Sequence, residues 1–192
     1  MTGAFLLDTS VISETSKKIK RPEVLSFLEE ADEIILPMGA LLELQMGIQK
    51  LTSTDPHKAV KLAEWYRKLT AGQIEVLQTG TEIIDKWAVL AIDPRLHNLT
   101  ANAYARGAKP RGGQDLHIAA ASLASGIPVA TFNVRDFVMI NEFYPLLGIY
   151  DPATRVWHAR AELEASYFMV PQQGPANSNH HVKRELKFLI NY

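Results

Sequence analysis

The sequence predicts an α/β fold: a three-layer α/β/α arrangement with a central, mainly parallel sheet. Three observations predict it. Short apolar segments alternate with longer amphipathic ones along the 192 residues, the pattern of parallel strands covered by helices on both faces. Turn and cap residues separate them. Polar side chains stand just past two of the apolar segments, Asp8 after the first and Asn133 after a later one. A parallel sheet opens its ligand crevice there, beyond the carboxyl ends of its strands.

Each element has its own signal. Ala4–Leu7 is a short apolar strand that ends in Asp-Thr-Ser. Pro22 opens a short helix carrying Val24, Leu25 and Leu28 on one side. Glu33–Leu36 reads as a second strand. Pro37–Leu51 reads as a deeply buried helix, with Glu43 inside it. Asp55 caps the next helix, Pro56 stands in its first turn, and Gly72 marks its stop. Ile74–Leu77 is a strand; 81–91 and 94–106 are helical. Residues 106–114 form a loop by composition. Asp115–Ser125 is an Ala-rich helix ending at Gly126. Val129–Phe132 and Leu147–Tyr150 complete the sheet. Beyond Pro152 the composition changes: 153–168 reads as a helix, 170–181 as a linker, and 182–190 as a short helix with one apolar face. The domain division is therefore 1–150 for the α/β unit and 151–192 for a C-terminal extension.

Composition bounds the function. The net charge is −1 and hydrophobic residues make up 47% of the chain, which fits a folded domain without the basic excess of a duplex-wrapping protein. Cysteine is absent, which excludes disulfides, iron–sulfur clusters and thiolate zinc sites. No signal-peptide pattern and no long apolar run occur, so the expected location is the cytoplasm, away from the membrane.

The chemistry is carried by acids at the edges of apolar segments: Asp8, Glu43, Asp115 and Asp136. Four such carboxylates converging on one crevice would repel one another and require a cation. Mg²⁺, or Mn²⁺ as its substitute, prefers such oxygen ligands. One or two ions would activate water and stabilise charge on a phosphodiester, leaving a 3′-hydroxyl and a 5′-phosphate. Thr9 and Ser10 support the site with hydroxyls and Asn133 with its amide. Arg135, Arg111 and Lys109 are candidates for contacts with the substrate backbone. Structural readings stand beside these. Asp8 and Asp115 also suit helix N-caps, Glu43 the exposed edge of a helix, and Asp136 a turn. Lys17, Lys18, Lys20 and Arg21 read as a solvated loop, His117 as a structural helix residue, and Trp65, Trp87 and Trp157 as core or interface residues.

Taken in order, "LLDTSVISE", "LLELQMGI" and "QDLHIAAASLASGIPVATFNVRDF" resemble the PIN-domain family, specifically the VapC-type toxin ribonucleases of toxin–antitoxin pairs. The resemblance spans roughly residues 4–150. It places the family's acids on Asp8, Glu43 and Asp115, with the last polar positions on Asn133 and Asp136. It implies the PIN-like fold and a Mg²⁺- or Mn²⁺-dependent endoribonuclease that arrests translation. It also implies a homodimer and a small antitoxin that lays a peptide over the active site and whose other end binds operator DNA. Three departures stand out: Phe132 occupies a position where relatives commonly carry Arg, so a basic substrate contact is either missing or supplied by Arg135; relatives vary between Asn133 and Asp136 as the fourth ligand; and the chain continues past the family domain. The alternatives are a catalytically inactive PIN-like binding or regulatory module and an α/β phosphatase. The phosphatase would require a second acid two residues after its nucleophile, where this chain has Ser10.

Overall fold

The computed structural model describes residues 3–72, 74–100 and 114–161. Six strands form one sheet in the order β3-β2-β1-β4-β5-β6. They are β1 (Ala4–Leu7), β2 (Glu33–Pro37), β3 (Glu75–Leu77), β4 (Val129–Ala130), β5 (Gly148–Asp151) and β6 (Val156–Arg160). All neighbours are parallel except β5 and β6. The helices are α1 (Thr9–Ile12), α2 (Pro22–Glu30), α3 (Met38–Leu51), α4 (Pro56–Ala71), α5 (Thr81–Ile92), α6 (Asp115–Ser125) and α7 (Val134–Phe143), with 3-10 turns at Ser13–Ser16 and Pro94–Leu99. Together they build the three-layer α/β/α architecture around a mainly parallel sheet. Among the described residues, no helix is long and apolar enough to cross a membrane.

The central strand β1 is flanked by β2 on one side and β4 on the other. Chain order reverses there, and such switch points are where doubly wound sheets open a crevice. The apolar run Phe5–Leu7 is buried on both faces, as expected of a strand covered by helices from above and below. On one side Phe5 meets Phe27 of α2 edge-on, with ring centroids 5.1 Å apart, and also contacts Tyr150 and Trp157 at 5.7 Å. Trp65 is buried in the core and its indole N–H donates to Thr15 Oγ1 at 3.2 Å.

Several boundaries shift from the sequence reading. The strand expected at Val129–Phe132 ends at Ala130, because Thr131 and Asn133 turn their polar groups to the crevice. The stretch expected to be helical from residue 94 to 106 is a 3-10 turn over Pro94–Leu99, and residues 101–106 lie outside the described residues. The helix expected over 153–168 is corrected more deeply. A turn containing Arg155 at φ 59° leads into β6, antiparallel to β5. The reason is a period of two: Trp157 and Ala159 pack on the core while Val156, His158 and Arg160 are exposed. Residues 162–192, including the expected linker and last helix, lie outside the described residues.

The β5–β6 edge depends on a close approach. A Cβ added to Gly148 would stand 2.5 Å from Trp157 Cζ3 and 3.1 Å from Pro128 Cβ, and the indole is itself held against Phe5 and Tyr150. Gly148→Ala should therefore destabilise the fold by about 1–3 kcal/mol, the usual cost of overpacking, measured by urea unfolding. An unchanged midpoint would show that the indole moves freely.

Candidate active site

Strand register builds the crevice. Leu7 of β1 pairs with Ala130 of β4, so the next residues, Asp8 and Thr131, emerge side by side at the carboxyl end. The Asp8 N–H donates to Ala130 O at 3.0 Å. Thr131 Oγ1 donates to Asp8 Oδ2 at 2.8 Å, and Ser10 Oγ donates to the same oxygen. Asp8 occupies the N-cap position of α1, yet its carboxylate makes no capping hydrogen bond. It is 2% exposed. Burial pushes its carboxyl above the ordinary range, against the downward pull of the Ser10 and Thr131 hydroxyls.

Glu43 arrives from the neighbouring strand. Helix α3 starts directly after β2, and Glu43 lies in its second turn. Thr9 Oγ1 donates to Glu43 Oε2 at 2.8 Å, joining α3 to α1. Burial raises the Glu43 carboxyl; the Thr9 hydroxyl lowers it, the Asp8 charge raises it and Lys50 lowers it.

Asp115 and Asp136 come from the other side of β1. Asp115 is the first residue of α6, and the cap position before it belongs to Gln114. Asp136 lies in the first turn of α7 and is 7% exposed. Asn133 Nδ2 bridges the two, donating to Asp115 Oδ2 at 3.2 Å and to Asp136 Oδ2 at 2.9 Å. The positive ends of two helices thus face these carboxylates. Even so, Asp115 is pushed up to about 7, first by burial and then by the charges of Asp8, Glu43 and Asp136. All four acids therefore share one electrostatic neighbourhood.

The donor set is hard oxygen, the kind that suits Mg²⁺ or Mn²⁺. Among the described residues, no group of three or more His, Cys, Asp or Glu side chains stands at metal-holding geometry.

The remaining expected residues fall as follows. Thr9, Ser10 and Asn133 are in the network. Arg135 is exposed in the first turn of α7, next to Asp136. Lys109 and Arg111 lie outside the described residues. Sequence reasoning missed Thr131, whose side chain serves both Asp8 and the Asn133 N–H at 2.8 Å; its place one residue past an apolar strand was the available signal. It also missed Gly39. A Cβ there would stand 2.5 Å from His117 Nδ1, so the glycine lets α3 approach α6 and brings Glu43 toward Asp115. His117 is buried, within hydrogen-bond distance of Thr79 Oγ1 at 2.9 Å and edge-on to Trp87, a structural placement.

The PIN-domain family model matches residues 5–140. No curated protein matches the chain. Among solved structures, FitAB bound to an IR36 DNA fragment aligns with a TM-score of 0.53 at 22% identity, covering 83% of this chain and 100% of the other. FitAcB from Neisseria gonorrhoeae aligns at 0.49 and 20% identity, covering 79% and 98%. VapBC-5 from Mycobacterium tuberculosis, a member of the VapBC family of toxin–antitoxin systems, aligns at 0.48 and 24%, covering 78% and 97%. The FitAB likeness is one of fold.

The Asp115 environment makes a signed prediction for the metal-free protein. Its carboxyl is raised from 3.8 to about 7 in the folded state, so the folded chain binds this proton more tightly than the unfolded chain. The group's contribution therefore turns against folding as pH rises across that interval, and the cost is complete above about 7. Asp115→Asn should be more stable than wild type by up to about 4 kcal/mol at pH 8 in chelator and nearly equal at pH 4. Chemical denaturation at both pH values measures this; a variant less stable than wild type at pH 8 contradicts it.

Proposed function

This chain belongs to the PIN-domain family, and we propose that it is a Mg²⁺- or Mn²⁺-dependent endoribonuclease of the VapC toxin type. The observation that carries the reading is the concentration of acids at the switch point of the sheet, where burial first and then the charges of Asp8, Glu43 and Asp136 raise Asp115. A site that keeps carboxylates together at such cost is suited to a hard divalent cation.

In this reading Asp8, Asp115, Glu43 and Asp136 hold the ion. When bound, the ion supplies a water nucleophile at neutral pH and stabilises charge on the scissile phosphate. The protein's own contribution is positional. Thr131 and Ser10 fix the Asp8 carboxylate, Thr9 fixes Glu43, and Asn133 spans Asp115 and Asp136. Removing such supporting partners weakens metal affinity or activity about 10–100-fold in metal sites generally. Arg135, with Lys109 and Arg111, would contact the RNA backbone.

The biological setting we propose follows from the same resemblance: a toxin that arrests translation, a homodimer, and a small antitoxin that neutralises it and carries operator-DNA binding. Cytoplasmic location accompanies this role.

The test is cleavage of single-stranded RNA by chain purified free of any partner. Wild type should cut with Mg²⁺ or Mn²⁺ and stop in chelator. Asp8→Asn and Asp115→Asn should each fall by about 10²-fold or more. Equal cutting by wild type and both variants would assign the activity to a contaminant. Absence of divalent-ion binding by folded, partner-free protein would favour an inactive binding module.

A further inference from the structure

The segment between α1 and α2 carries Lys17, Lys18, Lys20 and Arg21. A solvated loop is the simple expectation for such a run, but the structure ties this one down. Glu14 is buried at 1% exposure. It accepts from Lys17 Nζ at 2.6 Å and from the Arg21 N–H at 3.2 Å, and the Arg21 Nε lies 3.9 Å away. A buried carboxylate needs such partners, and here it fixes the path of the basic segment. One acid faces two cations at this anchor, while Lys18 and Lys20 add further positive charge.

Arg21 then reaches across to the crevice. Its guanidinium carbon lies 4.8 Å from the centroid of the Phe132 ring, within cation–π range. The Arg21 side chain remains 49% exposed. Phe132 is itself joined to the acidic site: its N–H donates to Ser10 Oγ at 3.1 Å, and Ser10 donates to Asp8. A pre-positioned cation therefore stacks on a residue whose backbone is joined through Ser10 to the buried Asp8 carboxylate. Within a chain of net charge −1, this gives a basic edge beside an acidic floor.

We propose that Arg21, stacked on Phe132 and anchored through Glu14, binds a backbone phosphate of single-stranded RNA and positions the strand over the acidic crevice. The proposal rests on the nuclease reading and adds a substrate contact to it. A planar, always-charged guanidinium with its stem already ordered loses little freedom on gripping a phosphate. Phe132 contributes by presenting the cation; Arg21 is a positioning residue for substrate.

The experiment measures binding of a labelled single-stranded oligoribonucleotide by fluorescence anisotropy across a salt series with Mg²⁺, in an Asp115→Asn background that suppresses cutting. Adding Arg21→Ala should weaken binding about three- to tenfold and lower the salt-dependence slope by about 0.7, the value for one phosphate contact on a single strand. Phe132→Leu, which keeps apolar bulk without the π face, should weaken binding in the same direction with Arg21 still present. Arg160→Ala is the matched control: Arg160 also stacks on an aromatic ring, Trp157, at 4.9 Å, at the opposite end of the sheet, and should leave both readings unchanged. In the cutting-competent protein, Arg21→Ala should raise KM and leave kcat nearly constant. Thermal melts establish that each variant is folded. RNA bound equally well and with the same salt slope by Arg21→Ala would overturn the proposal while leaving the nuclease reading intact. Failure of the parent to bind RNA at all, with a wild type that does not cut, would overturn both.

Discussion

Mutual repulsion among carboxylates at one strand end is the constraint around which this crevice is arranged. Asp8 is brought there by the register of β1 on β4, Glu43 by the immediate β2–α3 connection, and Asp115 and Asp136 by the first turns of two helices. Gathering these charges in a partly desolvated place is costly. The costs are offset locally by hydroxyls, an amide and two helix N-termini, and the raised Asp115 shows that the offset is incomplete. A divalent cation would complete it, which is why the proposed activity and the folding energetics are two consequences of one charge distribution.

Packing around the crevice serves the same end. Trp65 ties α4 to the turn after α1 through Thr15, so the segment that carries Thr9 and Ser10 has a buried support. Gly39 and His117 set how closely α3 meets α6, and hence how strongly Glu43 acts on Asp115. On the opposite side of the chemistry, Glu14 organises a basic segment whose last residue reaches Phe132. Acid floor and basic edge are both held by buried partners, which gives the site a polarity suited to a polyanion approaching a cation-filled pocket.

Much of this was legible in the sequence. Continuous apolar runs such as Phe5–Leu7 identify covered strands, and acids at their margins mark the crevice, since a carboxylate rarely sits beside buried residues without a partner. Other features depend on pairings that no local pattern encodes. Thr131 looks like a strand residue until register sets it against Asp8. Arg21 and Phe132 meet only through the fold. Val156–Arg160 resembled a helix because its apolar residues are few and adjacent to a Pro-containing turn, whereas its alternation becomes decisive only once β5 offers an edge to pair with. The family resemblance adds the order in which the acids occur, a signal stronger than any single segment.

The central claim is that Asp115 stands in a field of like charge created by Asp8, Glu43 and Asp136. Site-resolved titration of its carboxyl carbon by ¹³C NMR, in metal-free protein, tests this most directly. The account predicts a midpoint near the value of about 7 given by burial and these neighbours, moving down when Asp136 or Asp8 is replaced by Asn. A midpoint in the ordinary aspartate range near 4, indifferent to either replacement, would contradict it.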